Sequence, residues 1–220
     1  MEIYKYPLYY EIAFSFFDPK EQVDCFEEII KKFSRVKVKR FLDIACGPSL
    51  QLREIAKRGY EAVGLDSSSQ MLAYLQKKAG EEEIKIETVQ ADMCNFRLKR
   101  RADFAFIMMG SLAVESNERF LNHLNSVAHS LKRGGLYFIQ NMAVDWTQNV
   151  EQSWTMKRNG ITVKTTVSTH WKEFKTLIKL NGKFDFLGWW EGTESKWYLN
   201  RPLEKAKTPS NINMVLLRRK

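Results

Sequence analysis

The sequence predicts an α/β protein: a doubly wound, mostly parallel sheet, with an antiparallel β meander added near the C-terminus. Three observations predict it. Between residues 40 and 142, apolar runs of strand length alternate with segments of helical spacing through short connections, as parallel strands joined by right-handed crossovers require. After residue 150 that alternation stops, and two Asn-Gly pairs, Asn159-Gly160 and Asn181-Gly182, stand between runs of period two. Asn and Gly both tolerate positive φ, so these are strong hairpin signals. With 220 residues and 44% hydrophobic content, the chain can bury one sizeable core.

Element by element, Met1–Phe33 is aromatic-rich and helical, and residues 1–35 read as a helical lid segment over the sheet. Residues 36–149 read as the ligand-binding α/β domain. Arg40–Cys46 is a strand and Leu50–Lys57 has the apolar spacing of a helix. Tyr60–Leu65 is the second strand. Ser68–Ala79 is a helix with a serine at its start and lysines near its end, which suits the helix dipole. Ile84–Gln90 and Ala102–Met108 are strands three and four. Asn117–Lys132 is a long amphipathic helix stopped by Gly134-Gly135, and Leu136–Asn141 is strand five. Residues 150–220 read as an antiparallel extension forming the substrate side and the sheet closure, with Asn213–Arg219 as a last strand. This extension carries five of the six tryptophans.

Net charge is +9, unevenly distributed: residues 1–150 hold 21 Lys/Arg against 20 Asp/Glu (+1), and residues 151–220 hold 14 against 6 (+8). A basic C-terminal third can attract nucleic acid or an anionic substrate, or simply keep a sheet face soluble. Cys25, Cys46 and Cys94 are odd in number and unrelated in spacing, so no zinc or disulfide pattern emerges, no metal is expected, and a reducing cytoplasm fits. The N-terminus scatters Glu2, Lys5 and Glu11 among aromatics, unlike a signal peptide, and no run of 18 apolar residues would span a membrane.

Ligands of open α/β sheets bind outside the carboxyl ends of the strands. Strand one ends at Ala45-Cys46-Gly47, with Asp43 just inside. Strand two ends at Asp66-Ser67, strand three at Asp92-Met93, and strand four at Met108-Met109-Gly110-Ser111. Gly47 lets a ligand approach the backbone, and the following helix offers free N–H groups. Asp66 lies about 20 residues beyond the first turn, where an acid meets a ribose diol in dinucleotide folds. Asp92-Met93 supplies a polar contact and an apolar wall, which an adenine ring needs. Three acids at successive strand ends point to a nucleoside.

Five ordered blocks, LDIACGPS (42–49), VGLDSSSQMLAYLQ (63–76), VQADMCNF (89–96), ADFAFIMMGSLAV (102–114) and LKRGGLYFIQNM (131–142), resemble the class I S-adenosylmethionine-dependent methyltransferases of small-molecule type, with an Asp-x-Ala-Cys-Gly first motif. The resemblance implies a Rossmann-like sheet and S-adenosylmethionine as cofactor. It also implies roles: Asp43, Ala45, Cys46 and Gly47 at the methionine part, Asp66, Ser67 and Met71 at the ribose, and Asp92 and Met93 at adenine. Met109 at the end of strand four joins this set. The N-terminal segment resembles the Tyr-rich lid of related enzymes, which makes Tyr10 and Phe14 candidate lid contacts. Three departures stand out: Ser49, after Pro48, where a second glycine is usual; Gln140-Asn141 ending strand five; and residues 203–213, which hardly support the usual long helix.

The expected reaction is methyl transfer to a small-molecule acceptor by in-line displacement. No catalytic base is identified: His123 and His129 lie six apart on one helix and read as surface or packing residues, and His170 has no partner in sequence. Two rivals remain. One is an RNA methyltransferase using the basic C-terminal region, disfavoured because strand four lacks the Asn/Asp-Pro-Pro-aromatic motif. The other is a cofactor-binding protein without turnover. No membrane partner is expected, and oligomeric state is not legible.

Overall fold

The computed structural model describes residues 2–112, 114, 116–140, 150–169, 181–191, 196–199 and 212–220. Ten strands are found among them: β1 (Arg40–Ile44), β2 (Glu61–Asp66), β3 (Ile86–Gln90), β4 (Ala102–Ile107), β5 (Leu131–Gln140), β6 (Val150–Arg158), β7 (Ile161–Thr169), β8 (Phe184–Glu191), β9 (Lys196–Leu199) and β10 (Ile212–Arg219). The helices are α1 (Pro7–Ala13), α2 (Pro19–Phe33), α3 (Leu50–Lys57), α4 (Ser69–Glu81) and α5 (Asn117–Ser130), preceded by a 3₁₀ turn at Glu2–Lys5. Eight strands form one sheet in the order β3-β2-β1-β4-β5-β10-β8-β9. The first five run parallel, and β10 enters antiparallel between β5 and β8.

Strand periodicity explains the two-sided core, because a parallel sheet covered on both faces needs apolar side chains on both. Leu42, Ile44, Ala105 and Ile107 face α5 through Phe120, Leu124 and Val127. Their neighbours Phe41, Phe104, Phe106 and Phe138 face the other way, toward α2 and α3. There the Phe26 ring lies 4.9–5.2 Å from Phe104, Phe106 and Phe138. At the amino edge of the sheet, buried Asp103 accepts the Lys39 and Arg40 backbone N–H groups through Oδ2, both at 2.9 Å. An acid inside a strand can therefore be a staple; Asp43, at the opposite edge, is placed differently.

Two expectations change. Helix α5 stops at Ser130 instead of Lys132, and Leu131 already pairs with Ala102, so β5 begins five residues earlier than Leu136. Gly134-Gly135 is consequently an irregular stretch within the strand, where the register against β4 shifts. A Cβ on Gly135 would lie 2.6 Å from the Asp103 carbonyl oxygen, so the close approach demands glycine. The antiparallel strands also divide. Hairpin β6–β7 forms a two-stranded sheet of its own, turning at Asn159 (φ +49°) and Gly160 (φ +78°), whereas β8 and β9 extend the main sheet. At the second Asn-Gly pair, Asn181 is helical and Gly182 takes φ +66°. Residues 177–180, the run expected before this pair, lie outside the described residues.

Gly64 in β2 shows how tightly the sheet meets its helices. A Cβ there would come within 2.9 Å of Cys46 Sγ, 3.0 Å of Leu52 Cδ1 and 3.1 Å of Leu75 Cδ2. The neighbours are side-chain ends that can shift at some cost, so Gly64→Ala is expected to destabilise by about 1–3 kcal/mol. Urea unfolding measures this; an unchanged midpoint would contradict the packing.

Candidate functional site

From β1 the chain steps one way to β2 and β3, and later returns on the other side to β4 and β5. That reversal opens a crevice at the carboxyl ends of β1 and β4. The turn after β1 lines it with backbone held at positive φ: Ala45 at +54°, Gly47 at +53° and Ser49 at +25°. For Ala and Ser this conformation costs on the order of 1 kcal/mol or more each, which the surrounding bonds must hold.

Ser49 shows how. Its hydroxyl donates to Asp43 Oδ2 at 2.6 Å and accepts the Leu52 N–H at 3.0 Å, capping α3. The serine that replaces a second glycine therefore ties the buried acid of β1 to the helix that follows. Burial pushes the Asp43 carboxyl well above the usual carboxylate range; the Ser49 hydrogen bond offsets part of this, and neighbouring Asp66 adds to it. Such a group ionises readily when a cation arrives beside it. Cys46 is buried behind the turn, and its thiol is likewise pushed up by burial.

Asp66 joins two turns. Its Oδ2 accepts the Gly47 N–H and its Oδ1 accepts the Ser68 N–H, both at 2.8 Å. Each carboxylate oxygen keeps a second lone pair for a ligand. Ser67 is exposed beside it. Ser68 caps α4 by accepting the Met71 N–H at 3.3 Å, and the Met71 side chain is buried within the fold. Beyond β3, Asp92 accepts the Cys94 N–H at 2.8 Å, and Arg119 Nη2 lies 3.2 and 2.9 Å from its two oxygens. The Cys94 N–H above all, helped by Arg119, holds the Asp92 carboxyl below the usual range. Met93 is half-buried. Met109, at φ +58°, donates its N–H to Gln140 Oε1 at 3.3 Å, so the end of β5 supports the end of β4.

A cavity of about 40 Å³ lies between the β1 turn and the N-terminal segment, lined by Tyr10, Glu11, Phe14, Asp43, Ala45, Ser49, Met109 and Ser111 among others. That is room for a few waters, the scale of a reacting centre and smaller than a nucleoside. The Tyr10 ring lies across Gly47, 3.8 Å from where a Cβ would be, and burial pushes its hydroxyl pKa up. The Phe14 ring lies 4.6 Å from that of Tyr10, tilted by 43°.

Helix α1 is held over this cavity by partners the sequence did not announce. Buried Glu11 pairs with Arg53 of α3 and Arg158 of β6, each at 2.9 Å. Trp154 Nε1 donates to the Ala13 carbonyl at 2.7 Å, and its ring meets Phe14 and Phe16. Hairpin β6–β7 thus holds α1 in place. Of the candidates, Asp43, Ala45, Cys46, Met109 and Tyr10 meet at the cavity, with Gly47 beside the Tyr10 ring, while Asp66, Ser67, Asp92 and Met93 lie along the adjoining edge. His123 is buried and His129 exposed; His170 lies outside the described residues.

Residues 41–135 match a family described as methyltransferase domain. This stretch of the chain is similar to that family. A 64-residue stretch is 38% identical to a candidate methyltransferase of Geobacillus sp. (strain WCH70), covering 29% of this chain and 26% of that protein, so the chain spans about a quarter of that relative's length. Among solved structures, an S-adenosylmethionine-dependent methyltransferase from Clostridium acetobutylicum superposes with a TM-score of 0.72 at 14% identity, over 96% of both chains. The S-adenosylmethionine-bound amino pentose methyltransferase CalS10 from Micromonospora echinaspora superposes at 0.64 and 13% identity, over 91% of both. These likenesses show the Rossmann-like fold of such enzymes. The matched residues contain Asp43, Asp66 and Asp92, whereas α1 and hairpin β6–β7 lie outside them. No described helix is long and apolar enough to cross a membrane.

Proposed function

We propose that this chain transfers a methyl group from S-adenosylmethionine to a small-molecule acceptor, with an amine fitting best. The observation carrying this reading is Asp66: its carboxylate gathers the β1 turn and the α4 start at 2.8 Å each, while each oxygen keeps a second lone pair for a ligand. Bound there, S-adenosylmethionine supplies a sulfonium-activated methyl group. Asp66 accepts from the ribose hydroxyls, with Ser67 beside it and Met71 supporting the turn from within. Asp43, poised by Ser49, receives the ammonium of the methionine part, and the backbone of Ala45, Cys46 and Gly47 lies against it. Asp92 and Met93 flank adenine. Tyr10, Phe14 and Met109 exclude water around the reacting centre, where positioning alone can supply ~7–11 kcal/mol.

The acids lining the cavity support an acceptor that needs no early deprotonation. Glu11 is held between Arg53 and Arg158, and Asp43 is bonded to Ser49. Neither stands ready as a general base, whereas a neutral amine attacks first and loses its proton afterwards. The likeness to CalS10, an amino pentose methyltransferase, points the same way.

The experiment is product analysis with labelled cofactor against amines (including amino sugars), phenols, thiols and total RNA. Label in an amine is expected. Label in RNA, with binding that falls steeply with salt, would replace this reading with a nucleic-acid one and give the +8 of residues 151–220 its role. Tight cofactor binding with no turnover on any class would leave a binding protein.

A further inference from the structure

We infer that His123 is a positioning residue for the adenine side of the site, holding the turn after β3 by its carbonyl oxygen. This rests on the proposed cofactor reading for its functional meaning, and on geometry for its substance.

Residues 92–98 contain no strand; their single ladder contact is a bridge between Asp92 and Asn95. The buried backbone there must find partners elsewhere, and α5 supplies them in order. Arg119 reaches the Asp92 carboxylate. His123 Nδ1 lies 2.9 Å from the Met93 oxygen. Ser126 Oγ donates to the Cys94 oxygen at 3.3 Å and accepts the Phe96 N–H at 3.2 Å. Ser130 Oγ accepts the Leu98 N–H at 3.1 Å. The helix residues are spaced by four, three and four, so they form one stripe. Each successive member meets a later residue of the segment.

Within this stripe His123 is also braced from behind. Its Nε2 lies 2.7 Å from the Tyr137 hydroxyl on β5, and both side chains are fully buried. The Met93 carbonyl can only accept, which assigns the proton to Nδ1; the neutral ring's Nε2 then accepts from Tyr137. A relay therefore runs from β5 through α5 to the turn. A side chain that merely filled this space would need neither bond. The ribose and methionine contacts are made by other turns, at Asp66 and Asp43, so loss of the relay should loosen recognition of the base and leave the rest.

The test compares S-adenosylhomocysteine with S-ribosylhomocysteine, the same ligand without its base, by calorimetry. Peptide-level hydrogen exchange of the ligand-free protein is measured alongside. His123→Leu is expected to weaken S-adenosylhomocysteine at least tenfold and S-ribosylhomocysteine less than twofold. It should speed exchange across residues 93–98 at least tenfold while the Gly47 and Ser68 amides stay unchanged. His123→Asn, whose amide nitrogen can stand where Nδ1 stood, should bring affinity within about threefold of the parent. Should His123→Leu fail to fold, Tyr137→Phe keeps the ring, removes the bracing hydroxyl, and should speed exchange across the same residues. Equal weakening of both ligands, or unchanged exchange across 93–98, would overturn the positioning role. A parent protein that binds neither ligand would overturn the cofactor reading instead, and the exchange result would still decide the role of His123.

Discussion

Replacing Asp66 with alanine is expected to weaken S-adenosylhomocysteine binding by roughly 1.5–3 kcal/mol, about 10- to 150-fold, the loss typical of hydrogen bonds to a charged group. Two effects act in the same direction. The ligand loses its carboxylate, and the Gly47 and Ser68 N–H groups lose the acceptor that holds both turns at 2.8 Å. Because Asp66 is only half-buried, water can satisfy those amides in the variant, so the fold should survive. Titration calorimetry on a folded Asp66→Ala protein checks this, and an affinity within twofold of the parent would remove Asp66 from the site.

Acid should destabilise the protein through His123. Burial pushes this imidazolium down to about 4, with the Met93 carbonyl and Asp92 pulling slightly upward, against about 6.5 in an unfolded chain. The sign follows from proton counting. Between those two values the unfolded chain binds the extra proton, so stability is whole above about 6.5 and falls as pH drops toward 4. The loss is on the order of 3 kcal/mol. Other groups titrate nearby: Asp92 and Glu82, both held low, add to acid loss, whereas Asp43, held high, opposes it. Comparing the parent with His123→Gln cancels these terms. Urea unfolding at pH 7.5 and 4.5 should show the parent losing roughly 2–3 kcal/mol more than the variant. Equal losses would mean that His123 is not a buried neutral imidazole.

The two results probe different layers of the same edge, and those layers were unequally legible. Asp66 could be read directly, because a short apolar run ending in Asp-Ser-Ser before a helical pattern is a local signal. The same holds for Asp43 and Asp92, and for hairpin β6–β7, whose Asn159-Gly160 turn stands between two period-two runs. His123 could only be placed on a helix. Its two partners, Met93 and Tyr137, lie 30 and 14 residues away, and no spacing marks them.

By itself, the sequence determined the alternation of β1 through β5 with their helices, and the three acids at successive strand ends. These depend on periodicity and on turn residues within a few positions of one another, which physics imposes locally. Tertiary structure alone decided the rest. Leu131 became strand because pairing with Ala102 outweighed the helical pattern running through it. Glu11 found Arg53 and Arg158 at separations of 42 and 147 residues. A buried charge accepts whatever partner the folded chain brings within reach, and which one that is depends on the packing of the sheet and its helices.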